Sequence, residues 1–368
     1  MAKKNINIVC FYSSEYAGNF IPSLLNLANS CCEDANIIFT FPKEAENRYW
    51  IKYLKEQKYK IFFIESFDKK AFKKELKAIN KINNIDILYS HFISGLKIKM
   101  VYPFSRKIKL VIHVHSDFSA NKKISIKRKI RRFFELRLLR TDAHYIFVSK
   151  SIVFKNGKNF HCVENALCLN RIVGEKLDID LFKSQYDIRD NYTVFLMFAW
   201  SPYIKGLDVV IKAFLNLSKA EKERIRLIVV HGRDDGYSKC VNFLSTQLGN
   251  KDFLNESFIK FVKPAEDVFS LYSLTDVFIA ASRSEGFSYA VLESLYFGLN
   301  TIISDISGLK WAATYSLVDV FESENDSKLL KLIKNKIDFR SKKQINETVA
   351  NDYNINKWCK NIKKILLG

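Results

Sequence analysis

Short apolar runs alternate along this 368-residue chain with segments whose apolar positions return every three or four residues. The runs fall at 6–12, 36–40, 60–64, 85–89, 108–114 and 143–148, with helix-period stretches at 19–30, 68–81 and 124–139. The pattern then restarts. Runs follow at 193–199, 225–231, 258–262, 276–281 and 300–304, with helix-period stretches at 206–218, 237–248, 265–274 and 288–297. Such alternation predicts an α/β fold of parallel sheets covered by helices. The restart predicts two units, over 1–168 and 192–352. Residues 169–191 carry mixed charge without a clear period and read as the connection between them. A last helical pattern closes the chain, over 353–368. Ligands of such sheets sit at the carboxyl ends of the strands.

Composition narrows the setting. Seven cysteines, at 10, 31, 32, 162, 168, 240 and 359, contain no Cys-x2-Cys pair. Their odd number in a long chain argues against a disulfide framework and fits a reducing cytoplasm. Ile6 to Tyr12 follow two lysines but are too short for a secretion signal, and Ser13, Ser14 and Glu15 stop the run. No apolar run approaches the roughly 20 residues of a membrane span. The formal charge of +20 implies an acidic partner: nucleotide, nucleic acid or an anionic membrane.

The segment richest in chemistry is Ser282-Arg-Ser-Glu285-Gly-Phe-Ser-Tyr-Ala-Val-Leu-Glu293-Ser-Leu-Tyr-Phe-Gly298-Leu-Asn-Thr301. A strand runs into a polar loop, and a helix starts near Ser288. That helix is apolar almost all round, which marks it as buried. Glu293 sits inside the apolar run, so it needs a partner or a ligand. Glu285 lies on the loop at the mouth of the helix. Between the two, Gly286, Phe287 and Ser288 place backbone N–H groups at a helix N-terminus, which attracts phosphate.

This segment resembles the Glu-x7-Glu signature of retaining glycosyltransferases of the GT-B fold, glycosyltransferase family 4 (group 1). The resemblance implies two Rossmann-like domains facing across a cleft, with a C-terminal helix crossing back to the N-terminal domain. It implies that Glu285 and the 286–288 amides hold donor sugar and phosphate, and that Glu293 holds the ribose. Lys205, in Trp200-Ser-Pro-Tyr-Ile-Lys205-Gly206, matches the lysine of the family's Arg-x4-Lys-Gly phosphate clamp. The arginine position is Trp200, a departure, and Arg283 or another cation is left to replace it. His115, at the end of Leu110-Val-Ile-His-Val-His115, matches the family's histidine beside the donor sugar. Asn165 matches an asparagine at the family's domain junction.

Further candidates are less specific. Gly18-Asn19 opens the helix after the first strand and can approach a phosphate or serve as a plain turn. Alternation puts His113 on the face of His115, and His91 is a candidate near the acceptor. Arg233, after the strand ending at His231, can touch base or phosphate, or stay solvated. Family layout alone sets Lys260 to Val262 beside the base. The one Asp-x-Asp, Asp178-Ile-Asp180, falls in the connection rather than after an early strand. The six histidines show no zincin spacing, so no metal ligand is assigned and no cofactor is expected beyond the donor.

From Lys97 to Arg140 fourteen Lys and Arg face only Asp117 and Glu135. Most lie in 122–140, where Ile126, Ile130, Phe133, Phe134 and Leu138 recur at helical spacing. A basic amphipathic helix reads as a membrane-surface element. A core-packed helix with a solvated basic face is the bland alternative. No zinc-finger or RNA-recognition signature points to nucleic acid.

The reading reached is a metal-independent, cytoplasmic retaining glycosyltransferase, peripheral on the inner face of the plasma membrane. It moves a sugar from a nucleotide-diphosphate sugar to a hydroxyl of a glycan or lipid-linked acceptor, in bacterial surface polysaccharide assembly. The alternatives are a nucleotide-sugar 2-epimerase on the same fold, and a non-catalytic basic membrane- or nucleic-acid-binding protein.

Overall fold

The structure, a computed structural model, describes residues 6–15, 20–66, 69–92, 107–115, 143–152, 158–340 and 343–368. Gly18 and the basic segment 122–140 lie outside them. The chain divides into two compact units, one of Met1–Ile172 with Tyr353–Gly368, the other of Val173–Asp352.

The first unit holds a parallel sheet of β1 (Ile6–Tyr12), β2 (Ala35–Pro42), β3 (Lys60–Ile64), β4 (Ile87–His91), β5 (Lys109–Val114), β6 (His144–Phe147) and β7 (Phe160–Cys162). Among the described residues their order is β3-β2-β1-β4-β5-β6-β7. Central strands such as β4 are buried throughout, as a sheet covered on both faces requires. Helix Phe20–Cys31 packs against the C-terminal helix Ile355–Leu367, with the rings of Phe20 and Trp358 5.7 Å apart. Lys363 bridges to Asp34 at 2.6 Å. Lys109 Nζ donates to the carbonyls of Ile365 and Leu366 at 2.6 and 2.9 Å, partnering two of the helix-end acceptors that lack an intrahelical donor. The return of the last helix to the first unit is thus as the family resemblance implied.

The second unit repeats the plan with β8 (Thr193–Ala199), β9 (Ile225–His231), β10 (Ile259–Val262), β11 (Val277–Ala280), β12 (Asn300–Ser304) and β13 (Val318–Phe321). Their order is β10-β9-β8-β11-β12-β13, again parallel. Phe195, Met197, Phe214, Leu227, Val229 and Ile302 are among the side chains of its core.

Several elements differ from the sequence reading. Strands β7 and β13 are additional. Both are short edge strands and only partly buried, so they lack the apolar run that marks the central ones. Helix Tyr49–Glu56 is also additional, as are Asp326–Lys334 and Glu347–Asp352. The aperiodic stretch before β8 contains a helix, Ile179–Gln185, with only Phe182 buried. Asp178 is its N-cap, accepting from the Leu181 amide at 3.0 Å, so half of the Asp-x-Asp is a helix start. All seven cysteines are free.

Candidate active site

In the second unit the strand order reverses beside β8, so the loops after β8 and β11 leave the sheet on either side of the switch point. That is where such sheets bind ligands. Lys205 comes from the first loop and Glu285 from the second. Gly206 has φ +67°, and a Cβ there would lie 2.0 Å from the Ala281 carbonyl oxygen. Only glycine permits that approach, which holds Lys205 against the 281–288 loop. Lys205 Nζ forms an ion pair with Glu285, and Ser282 Oγ donates to the same carboxylate at 2.9 Å. The two charged side chains keep only 13% and 12% of their surface exposed. A Cβ on Gly308 would meet the Glu285 carbonyl oxygen at 2.0 Å, so the next loop grips the backbone. Ser304 Oγ donates to the Ser282 carbonyl at 2.6 Å.

Helix Tyr289–Tyr296 begins beyond this pair. Ser288 is its N-cap, accepting from the Val291 amide at 3.4 Å. Phe287 stacks on Trp311 with ring centres 4.6 Å apart, which fixes the turn containing Gly286. The helix end brings its partial positive charge to the mouth of the site. Glu293, one turn inside, is 2% exposed and accepts from Tyr272 Oη at 2.9 Å. One partner of this buried carboxylate is therefore a neutral hydroxyl.

Of the two clamp positions that the resemblance implied, only Lys205 is a cation in this sequence. Trp200 is 60% exposed, and Lys205 Nζ lies 5.2 Å from its ring centre. Arg283 does not replace the missing arginine. Its guanidinium grips both Asp208 oxygens at 2.8 Å, donates to the Tyr203 carbonyl at 2.7 Å and to Glu324 at 3.0 Å, and stacks on Tyr203. Burial opposes its charge, but hydrogen bonds to Asp208 and Glu324 outweigh that and hold its pKa above the ordinary value. Arg283 ties the two switch-point loops together.

Arg233 follows β9 and is half-buried. It lines a cavity of roughly 370 Å³ with Asp178, Phe182, Pro264 and Glu266. Val262 is buried at the end of β10, which leaves its backbone to offer a ligand. Lys260 is half-buried and Asn165 is buried.

In the first unit, register aligns Tyr12, His91 and His113 across β1, β4 and β5. His115 lies two residues beyond His113 on the same face, as the alternation predicted. His91 Nδ1 and His115 Nε2 are 3.2 Å apart, and Tyr89 Oη is 2.7 Å from His113 Nδ1. Burial holds His91 and His113 well below the usual imidazole range and His115 down to about 3; mutual repulsion adds to this for His91 and His113.

Sequence reasoning missed Ser282, Gly308, Tyr272 and Asp208. Asp208 carried a signal: it is an acid inside Leu207-Asp-Val-Val-Ile211, the same anomaly that marked Glu293. Gly308 carried none, because only the fold brings it to Glu285, whereas Ser282 lies three residues before Glu285 in the quoted segment.

The model of the family described as glycosyl transferases group 1 matches residues 178–335. Over 307 residues the chain is 24% identical to the O-antigen biosynthesis glycosyltransferase WclY of Escherichia coli, covering 75% of this chain and 77% of that one. The solved structure of Anabaena HepE in complex with UDP and glucose matches with a TM-score of 0.76 at 14% identity, over 99% of this chain and 100% of that one. WaaG, a glycosyltransferase involved in lipopolysaccharide biosynthesis, matches with a TM-score of 0.70 at 12% identity, over 99% and 100%. At such identities the structural likeness speaks for the fold.

Proposed function

By residues 178–335 this chain belongs to the group 1 glycosyltransferases, with the GT-B fold, and from that premise we propose that it moves a sugar from a nucleotide-diphosphate sugar to a hydroxyl of a glycan or lipid-linked acceptor with retained configuration. The observation that carries the reading is the Lys205–Glu285 pair at the switch point, set against the N-terminus of helix Tyr289–Tyr296. Lys205 and the helix end stabilise charge developing on the leaving diphosphate. Glu285 orients the sugar hydroxyls, and Glu293 holds the ribose. His115 keeps the sugar-contact role that its motif position implies. Charge stabilisation by these groups needs no divalent cation, so activity should survive excess EDTA. Dependence on added manganese or magnesium would overturn that part.

Bacterial surface polysaccharide assembly is the proposed setting, supported by the O-antigen and lipopolysaccharide relatives. HepE is described with UDP and glucose, which makes UDP-sugars the first donors to test. A thermal-shift screen of UDP-, GDP- and dTDP-sugars, followed by turnover with and without acceptor, tests the reading. Conversion of the donor to its epimer without any acceptor would refute it. Attachment to an anionic membrane through 122–140 belongs to the same proposal.

A further inference from the structure

We propose that His91, His113 and His115 form a site for one borderline transition-metal ion, of the Zn²⁺ class, in the first unit. The three side chains each offer a ring nitrogen, and these nitrogens lie within 4.8 Å of one another. Four-coordinate zinc with bonds of about 2.0–2.1 Å spaces its ligand nitrogens about 3.3 Å apart. The His91 Nδ1 to His115 Nε2 separation, 3.2 Å, already has that length. The third ring needs to close by no more than about 1.5 Å.

The second observation is independent of this spacing. Nε2 of His113 is buried and has no hydrogen-bond partner. A buried polar atom without a partner costs about 1–3 kcal/mol, and one set beside two further imidazoles calls for an occupant. His113 also has the outer contact that a metal ligand needs. Its Nδ1 lies 2.7 Å from Tyr89 Oη, and donation there leaves Nε2 with its lone pair for a metal. Burial keeps the imidazoles neutral, the protonation state that binds metal.

The surroundings fit an imidazole site rather than an oxygen one. No carboxylate belongs to the cluster among the described residues, which disfavours Mg²⁺, Ca²⁺ and Mn²⁺. Phe20 and Phe92 pack on His115 with ring centres 4.5 and 4.1 Å away. His115 is half-buried where the other two are buried, so the fourth coordination position opens toward it. This inference does not rest on the proposed sugar transfer; with Nε2 of His115 on the ion, Nδ1 is the ring nitrogen left for the sugar contact.

The test uses the full chain without a polyhistidine tag, stripped with chelator. Zn²⁺ is titrated against a chromophoric chelator, and Co²⁺ is added separately to read coordination number from its visible bands. One Zn²⁺ per chain and a four-coordinate Co²⁺ spectrum are expected. His115→Ala should weaken Zn²⁺ binding more than tenfold. Tyr89→Phe removes one oxygen from the core and should weaken it about 10–100-fold with unchanged circular dichroism. His144→Ala should leave it unchanged, because the His144–His161 pair is a separate cluster. Absence of Zn²⁺ binding in wild type, or binding in the His115 and Tyr89 variants equal to wild type, would overturn the proposal and leave the His113 nitrogen to buried water.

Discussion

Replacing Lys205 with Met asks whether its ion pair serves the fold or the donor. Both partners are nearly nine-tenths buried, so the variant leaves Glu285 charged in a mostly dry site with the Ser282 hydroxyl as its remaining hydrogen bond in this group. Breaking a fully buried pair in this way costs about 3–5 kcal/mol. Residual exposure and the serine lower the figure here, to about 2 kcal/mol, or several degrees in melting temperature. The double variant Lys205→Met with Glu285→Gln removes both charges and keeps an acceptor for Ser282. It should recover most of the stability. Turnover should not follow, since the double variant lacks the Lys205 cation at the proposed diphosphate seat. Loss of one preorganised charge-stabilising group costs about 10²–10³ in kcat. Urea unfolding followed by circular dichroism gives the first quantity, and release of nucleoside diphosphate gives the second. Recovery of both in the double variant would show that the pair is scaffold and that the donor site lies elsewhere.

Glu293→Ala should lower nucleotide affinity by about 1.5–3 kcal/mol, the worth of a hydrogen bond to a charged group; calorimetric titration with UDP checks it, and unchanged affinity in a folded variant removes the ribose role. Acid should weaken the first unit. His91, His113 and His115 have folded pKa values below that of the unfolded chain, so their contribution is intact above about pH 6.5 and falls as pH drops toward their folded values. The slope is up to about 1.4 kcal/mol per pH unit for each imidazole; denaturant midpoints between pH 7 and pH 5 that stay level would contradict it. Replacing Lys127, Arg128, Arg131 and Arg132 with Ser should release the protein from anionic liposomes at low salt without changing nucleotide binding; equal sedimentation of the two proteins would remove the membrane role.

Legibility followed burial. Strands β1, β8, β9 and β12 match the apolar runs end for end, because strands buried on both faces need apolar sequence; β3 matches too although it is an edge strand, because Ile61 to Ile64 are all apolar. Edge strands β7 and β13 are solvated on one side and lose that mark. Glu285, Glu293 and Lys205 stood out because each breaks a local expectation: an acid at a helix mouth, an acid in an apolar helix, a lysine before a glycine turn. The role of Gly206 becomes clear only when its φ and the Ala281 carbonyl are seen together. The histidine cluster was half visible. His113 and His115 share a face by alternation, but His91 joins them through the register of β4 on β5, and register is not written in the spacing between 91 and 113.

On the proposed reading, the switch-point charges also account for how a site with Trp200 at the clamp arginine position stays balanced before it is filled. With Trp200 in the arginine position and Arg283 committed to Asp208, Lys205 has Glu285 as its counter-charge. Each satisfies the other in the absence of donor, so neither pays the cost of an unpaired buried charge. On the proposed reading, a nucleotide sugar replaces both halves at once: phosphate takes Lys205, and sugar hydroxyls take the acceptor capacity of Glu285. A nucleoside diphosphate without its sugar draws Lys205 away and leaves Glu285 with the Ser282 hydroxyl. The intact donor should therefore bind at least tenfold more tightly than the free diphosphate, and Glu285→Gln should narrow that gap by relieving the stranded charge. Calorimetric titration of both ligands against both proteins measures it. A free diphosphate that binds wild type as tightly as the nucleotide sugar would mean that Lys205 does not exchange Glu285 for phosphate.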